Sequence, residues 1–108
     1  MALLRMCSEK VTQTLNQLLN QRLGPHLRGV WLYGSRARGD ARENSDYDVL
    51  ILVDEKTQAV RDSILDIQVE ILDHYDALVA TILRTEDEWE RSQGYPLARN
   101  IAREAVRL

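Results

Sequence analysis

Residues 29–53, with the sequence GVWLYGSRARGDARENSDYDVLILV, contain the pattern that decides which fold the chain adopts. Two apolar runs, 30–33 and 49–53, lie on either side of a polar, arginine-containing connection. Short apolar runs that are bounded by turn-forming residues are typical of β-strands. We expect two neighbouring strands of one sheet, whose connection starts with a Gly-Ser corner and ends with an Asp-x-Asp pair. The corner and the acidic pair would then lie at facing ends of these strands.

The acidic pair consists of Asp46 and Asp48, which lie at the start of the second apolar run. Because side chains alternate along a strand, residues two apart project from the same face, where their like charges repel each other. The strand that follows is apolar, so unpaired charge there is costly. A hard divalent cation relieves both problems, and Mg²⁺ prefers oxygen ligands of this kind. The pair therefore indicates a metal site.

The Gly-Ser corner consists of Gly34 and Ser35. Glycine allows a backbone N–H to approach a phosphate without a Cβ in the way, and Ser35 adds a hydroxyl donor. A helix that starts at Ser35 or Arg36 would point its positive end toward the same anion. A phosphate-binding corner beside metal-binding carboxylates is the equipment of metal-assisted phosphoryl or nucleotidyl transfer.

Each half of this pattern also has an ordinary structural interpretation. A lone Gly-Ser is a common turn, and a lone Asp-x-Asp before a strand is usually solvated. The combination, separated by one connection that carries Arg36 and Arg38, is much less ordinary. The chain has no Gly-Lys-Ser/Thr of a P-loop. An EF-hand loop beginning at Asp46 would need an oxygen ligand at Leu50 and a glycine at Ile51, and has neither.

Length and composition predict one small domain, residues 1–108. The 108 residues suffice for one core and are marginal for two, and 44% hydrophobic with 29% charged residues is ordinary for a soluble globular protein. The net charge of −3 argues against general nucleic-acid binding but permits a local basic patch of Arg36, Arg38 and Arg42. No apolar run approaches membrane-spanning length. Since Cys7 is the only cysteine and no signal peptide is evident, we expect a cytoplasmic protein without an internal disulfide.

Hydrophobic periodicity and capping residues predict the remaining elements. Ser8 is a candidate N-cap for a first helix that ends at Leu23, before Gly24 and Pro25. The second strand is almost entirely apolar, so we expect it to be the central strand of the sheet. The predicted strands are 30–33, 47–53 and 77–83, and the later predicted helices are 35–38, 58–74, a short helix opened by a capping box at 85–88, and 97–104.

The C-terminal segment contains Trp89, Tyr95 and a ridge of Arg99, Arg103 and Arg107. Aromatic residues and arginines are enriched at binding hot spots, so this segment could contribute to a partner surface. The alternative is that Trp89 covers the core and the arginines form a solvated face. Both interpretations stay open at the level of sequence.

The pattern of residues 34–48, Gly-Ser followed by a ten-residue connection and Asp-Tyr-Asp, resembles the signature of the minimal nucleotidyltransferases. These are the smallest members of the DNA polymerase β-like nucleotidyltransferase superfamily. The spacing, the apolar strands on both sides and the Arg38-Gly39 pair all match. The resemblance is close over residues 29–83 and extends to the rest of the chain only in general layout.

The resemblance implies an α/β (α+β) fold, with a small mixed β-sheet and helices packed mainly on one side, in a single minimal nucleotidyltransferase domain. It also implies roles for the site residues. Gly34, Ser35 and Arg36 would bind the triphosphate of ATP, and Asp46 and Asp48 would be catalytic residues that hold two Mg²⁺ ions bridging it. In this family a third carboxylate normally lies on the next strand, where it binds a metal and helps to activate the acceptor hydroxyl.

The sequence departs from the family pattern at this third carboxylate. The predicted third strand, 77–83, contains no acidic residue. Asp76, just before it, is the only plausible substitute, since Glu70 and Asp73 lie on the preceding predicted helix. Metal binding is therefore better supported than turnover, and the activating base could come from the acceptor or from a partner.

The resemblance leaves three functions open. The first is a Mg²⁺-dependent transfer of AMP from ATP to a hydroxyl of a partner protein. Because no second domain is expected to form another acceptor site, we expect a protein acceptor in trans, and the usual partner in this family is a HEPN-domain protein of a toxin–antitoxin pair. The second function is that of an antitoxin acting by contact alone, and the third is nucleotide sensing. We expect activity, because the corner and the acidic pair are kept together at the active spacing.

Overall fold

The computed structural model describes the backbone of residues 2–108 and the side chains of residues 9–108. Within these ranges, no helix is both long enough and apolar enough to cross a membrane. In chain order, the elements of the described chain are α1 (Ala2–Leu23), a 3-10 helix (Gly24–His26), β1 (Leu27–Tyr33), α2 (Ser35–Arg38), β2 (Tyr47–Val53), α3 (Gln58–Tyr75), β3 (Val79–Thr85), α4 (Glu86–Arg91), α5 (Pro96–Glu104) and β4 (Val106–Arg107).

The strands form one mixed sheet in the order β3-β2-β1-β4. β1 and β2 pair antiparallel, with Tyr33 opposite Asp48, and β2 and β3 pair parallel, with Asp48 opposite Ala80. All residues of β2 except Asp48 are buried, which confirms the prediction of a central strand. The end of β1 and the start of β2 therefore meet at one end of the sheet.

The apolar core covers both faces of the sheet. On one face the long helices α1 and α3 contribute Leu15 and Ile67, which pack with Ile51 of β2 in a single buried cluster. On the other face Ile101 of α5 packs against Leu50 of β2, in a smaller cluster that α4 also contacts. Each fully buried side chain of this kind contributes about 1.5–3 kcal/mol. The predicted fold class, a small mixed β-sheet with helices packed mainly on one side, is confirmed.

The short helix α2, strand β2 and the capping box that opens α4 match the predicted positions. The first helix begins at Ala2, before the predicted start at Ser8, whose side chain lies outside the described residues. β1 starts at Leu27, earlier than the predicted strand 30–33, because its pairing with β2 extends past a register shift to Leu27 opposite Val53. β3 starts later than the predicted 77–83, because α3 continues to a left-handed cap at Asp76 (φ 52°). β4 has no counterpart in the prediction.

Candidate active site

The Gly-Ser corner lies where β1 ends and α2 begins. Gly34 has φ 77° and ψ −158°, a conformation that residues with a side chain rarely adopt. Its carbonyl accepts hydrogen bonds from the amides of Ala37 (3.1 Å) and Arg38 (3.0 Å), which close the first turn of α2. A Cβ on Gly34 would collide with Oδ2 of Asp48. The structure therefore gives two reasons for a glycine at position 34, its backbone conformation and the close carboxylate of Asp48. The reason expected from the sequence is the approach of a phosphate.

The acidic pair lies beside this corner. Asp48 is partly buried in β2, and Asp46 lies just before the strand and is exposed. The pKa of the Asp48 carboxyl is raised, first by burial and then by the negative charges of Asp46 and Glu104, while the positive charge of Arg38 opposes the shift. The ionised form of Asp48 is therefore destabilised, and either a proton or a cation would relieve it.

Arg36 connects α2 to the loop that carries Asp46. Its Nη2 donates hydrogen bonds to the carbonyls of Ser45 (2.8 Å) and Glu43 (3.2 Å). Its guanidinium also lies over the ring of Tyr47, with Cζ 4.2 Å from the ring centroid, a contact that typically contributes about 0.5–1 kcal/mol. The family resemblance implies a contact of Arg36 with the triphosphate, and in the structure its guanidinium braces the loop between α2 and β2.

A carboxylate that the sequence analysis does not single out, Glu104, contacts the same corner from the end of α5. Its Oε1 accepts a hydrogen bond from the amide of Gly34 (3.0 Å), and its Oε2 accepts one from Nη1 of Arg38 (2.9 Å). These two donors, Arg38 first, lower the pKa of the Glu104 carboxyl. Because its partners are far away in the sequence, no local pattern could have identified Glu104.

The position on β3 opposite Asp48 is occupied by Ala80, and β3 contains no acidic residue. Asp76 instead ends α3, where its amide donates a hydrogen bond to the carbonyl of Leu72 (2.9 Å). Its charge is not among the causes of the Asp48 pKa shift. The structure thus supplies no third carboxylate from β3.

Among the side chains of residues 9–108, no group of three or more His, Cys, Asp or Glu is arranged to hold a metal ion. Mg²⁺ is commonly held by one or two protein carboxylates together with substrate phosphates and water. Asp46 and Asp48 supply hard oxygen donors in that number, and the negative charge of Asp46 already acts on Asp48. The acidic pair therefore fits a magnesium ion that arrives with a triphosphate.

In the C-terminal segment, Trp89 covers the core, whereas the partner surface proposed for the exposed residues is not tested by the fold. Trp89 packs, partly buried, against the apolar cluster beneath α5, as the core-covering alternative predicts. Tyr95 is 67% exposed, and the guanidinium of Arg107 lies 5.1 Å from the ring centroid of Trp31. A role of the exposed residues in partner binding stays a prediction.

Comparison with known proteins finds a relative from Methanocaldococcus jannaschii, named "putative protein adenylyltransferase". It is 27% identical over 99 residues, which cover 92% of this chain and 95% of the relative. A chain of a toxin–antitoxin complex with AMP-PNP superposes with a TM-score of 0.65 at 19% identity, over 88% of this chain and 69% of that chain. A chain of the complex of the tri-AMPylated Shewanella oneidensis HEPN toxin with the MNT antitoxin superposes with a TM-score of 0.54 at 14% identity, over 96% of this chain and 70% of that chain. At these identities the solved structures show a shared fold.

The family model described as "Polymerase beta, Nucleotidyltransferase" matches residues 13–105. The matched range covers most of the chain and includes the Gly-Ser corner, the acidic pair and Glu104. The pairing of β1 with β2 places the corner and the acidic pair at the same end of the sheet, as the strand pattern predicts. This chain therefore belongs to the polymerase beta nucleotidyltransferase family.

Proposed function

We propose that this protein is a Mg²⁺-dependent nucleotidyltransferase that transfers AMP from ATP to a hydroxyl group of a partner protein. The observation that carries the proposal is the approach of Asp48 to Gly34, at a point where any side chain on residue 34 would collide with the carboxylate. Burial and like charge also raise the pKa of Asp48. A carboxylate whose charge is destabilised beside a glycine corner suits a site that receives a metal-bound triphosphate.

In this proposal Ser35 and Arg36 contact the triphosphate, and Gly34 supplies the backbone turn that lets it approach while its amide stays bonded to Glu104. Arg36 also braces the adjoining loop. Asp46 and Asp48 would hold Mg²⁺, and the bound ion would supply charge neutralisation for the phosphates and for the leaving pyrophosphate. The acceptor oxygen forms a bond to the α-phosphorus, the bond from the α-phosphorus to the bridging oxygen breaks, and the hydroxyl proton passes to a base. Pyrophosphate leaves, and AMP stays on the acceptor.

The relatives support the choice of nucleotide and partner. One similar solved complex contains AMP-PNP, and another contains an AMPylated HEPN toxin with its MNT antitoxin. The sequence relative from Methanocaldococcus jannaschii bears the name of a protein adenylyltransferase. We therefore propose ATP as the donor and a HEPN-domain protein as the acceptor, in a toxin–antitoxin pair.

One observation favours a second function, that of an antitoxin that acts by contact alone. Ala80 stands opposite Asp48 on β3, the strand on which the family resemblance implies a carboxylate that helps to activate the acceptor. Without that carboxylate, the activating base has to come from elsewhere in the complex. An inactive antitoxin would need no base, and could retain nucleotide binding as a structural feature.

The decisive experiment is transfer of label from α-³²P-ATP to a purified HEPN-domain partner in the presence of Mg²⁺. Wild type should label the partner, and Asp46→Asn and Asp48→Asn should each lower the rate by roughly 10²-fold or more, because charge stabilisation in the transition state is lost. Asp62→Asn, at an acid of α3 that pairs with Gln58 (2.9 Å), is the matched control and should transfer like wild type. If the wild-type protein inhibits the partner without labelling it, the enzyme hypothesis is wrong and the antitoxin that acts by contact alone is supported.

Asp76→Asn tests the remaining substitute for the third carboxylate in the same assay. Because Asp76 caps α3 and does not influence the Asp48 pKa, we expect transfer to be unchanged. Loss of transfer with Mg-ATP binding retained would assign the missing acid to Asp76.

A further inference from the structure

Glu104 occupies a position that its own helix disfavours. It is the last residue of α5, and a negative charge at the C-terminal end of a helix opposes the helix dipole. The partners that offset this cost lie outside the helix: the amide of Gly34 at 3.0 Å and Nη1 of Arg38 at 2.9 Å. The carboxylate is therefore held by the Gly-Ser corner and α2, and only 24% of the side chain is exposed.

The backbone on both sides of Glu104 is anchored by the core and by the sheet. Ile101, one turn earlier, is 2% exposed, and its carbonyl accepts a hydrogen bond from the amide of Ala105 (2.8 Å). Just after Glu104, β4 pairs with Trp31 and Leu32 of β1. Because β1 also leads directly into the corner, Glu104 and Gly34 are attached to the same rigid element.

We propose that Glu104 is a positioning residue for the nucleotide site, whose carboxylate fixes the amide of Gly34 and the guanidinium of Arg38 and so keeps the corner and Asp48 in the arrangement that receives Mg-ATP. This inference rests on the proposed function. Each oxygen of Glu104 accepts a hydrogen bond from the corner or from α2, and these bonds are the means by which it would position the site.

The arrangement has two consequences for the site. The amide of Gly34 is directed at Glu104, so contacts to the triphosphate fall to other groups of the corner. Arg38 is held between Glu104 and Asp40 (Nε–Oδ2 3.2 Å), although its charge also acts on Asp48. Without Glu104, Arg38 would be able to pair with Asp48 and compete with the metal for that carboxylate.

The first arm of the test needs no nucleotide. Amide hydrogen exchange of Gly34, followed by NMR on the full chain, should be about tenfold faster or more in Glu104→Ala than in wild type, because the acceptor of that amide is lost. Glu104→Gln keeps an oxygen that can accept this bond, so its exchange should lie between the two, and it remains informative if Glu104→Ala folds poorly. Glu70→Ala removes a comparable ion pair with Arg22 between α1 and α3 and should leave the Gly34 amide unchanged. Unchanged exchange in Glu104→Ala would overturn the proposal.

The second arm measures the affinity for Mg-ATP in the same variants. We expect about tenfold weaker binding for Glu104→Ala, partial rescue by Glu104→Gln, and wild-type affinity for Glu70→Ala, since charge-assisted bonds are stronger than neutral ones. Equal affinity in Glu104→Ala would overturn the proposal, and so would tighter binding, because it would show that the carboxylate competes with a phosphate. If wild type itself does not bind Mg-ATP, the proposed function fails, while the exchange measurement still decides whether Glu104 holds the corner.

Discussion

Two carboxylates near opposite ends of the central strand β2, Asp48 within the strand and Glu88 of α4, have pKa values shifted in opposite directions. Near the end of β2, Glu88 accepts hydrogen bonds from the amide of Thr85 (3.0 Å) and from Nζ of Lys56 (2.9 Å). These bonds lower the pKa of Glu88 to about 2. At the start of β2, burial and neighbouring negative charges raise the pKa of Asp48.

This difference separates a carboxylate that stabilises the fold from one that is available for function. Glu88 completes the capping box of α4, so its ionised form is stabilised by folding. The ionised form of Asp48 is destabilised by folding, and natural proteins tolerate such costs mainly at functional sites. The comparison therefore gives Glu88 a structural role at its end of the sheet, and it supports the proposed ligand binding at the Asp48 end.

The largest expected effect is that of Asp48→Asn on ligand binding. Because the folded-state pKa of Asp48 is raised, its charge costs stability above that pKa, and the neutral variant should melt a few °C higher at neutral pH without ligand. With Mg-ATP at a hundred times its Kd, the free energy of unfolding of wild type should rise by about 2.7 kcal/mol. That of Asp48→Asn should not change. Thermal denaturation with and without Mg-ATP measures both. If Asp48→Asn were less stable than wild type and still stabilised by Mg-ATP, Asp48 would be a structural carboxylate like Glu88.

Gly34→Ala should have the next largest effect, because it combines backbone strain with a collision against Asp48. Gly39 also has a positive φ, 84°, but a Cβ there meets no heavy atom within 4 Å. We expect Gly39→Ala to cost about 1 kcal/mol, for strain alone, and Gly34→Ala to cost about 2–3 kcal/mol. Urea denaturation measures both costs. Because Gly34 (ψ −158°) and Gly39 (ψ 11°) lie in different positive-φ regions, Gly34→Ala measured again in an Asp48→Ala background isolates the contribution of the carboxylate contact. Equal costs of Gly34→Ala in the two backgrounds would show that Asp48 does not press against the corner.

The smallest expected effect is that of Glu88→Gln on stability at acid pH. The pKa of Glu88 is lowered from its ordinary value of 4.5 to about 2, so its stabilising charge is fully present above about pH 4.5 and is lost as the pH falls toward 2. Glu88→Gln should therefore lower the melting temperature at neutral pH and show a shallower loss of stability across that acid range. Melting temperatures as a function of pH test this, with Glu90→Gln, on the exposed side of the same helix, as the control. If the melting temperatures of wild type and Glu88→Gln fell in parallel with pH, Glu88 would not contribute to the loss of stability in acid.

Features that depend on a few neighbouring residues were predictable from the sequence. The capping box at Thr85, the short helix α2 with its left-handed end at Gly39, and the buried strand β2 all follow from such local patterns. Caps, turns and alternation of side chains are determined by atoms within a few residues of each other, so a sequence window contains them whole. The same reasoning placed the corner and the acidic pair at facing ends of adjacent strands.

Other features depend on contacts between parts of the chain that are distant in the sequence. The contacts of Glu104 with Gly34 and Arg38, the short strand β4 and the close approach of Asp48 to Gly34 all join parts of the chain that have no pattern in common. Their geometry depends on how α5 packs on the sheet, which in turn depends on burial summed over many apolar side chains. The order of residues alone sets which chemical groups this protein can bring to the proposed nucleotide site. The packing of the C-terminal helix on the sheet, in contrast, is what brings Glu104 to the corner.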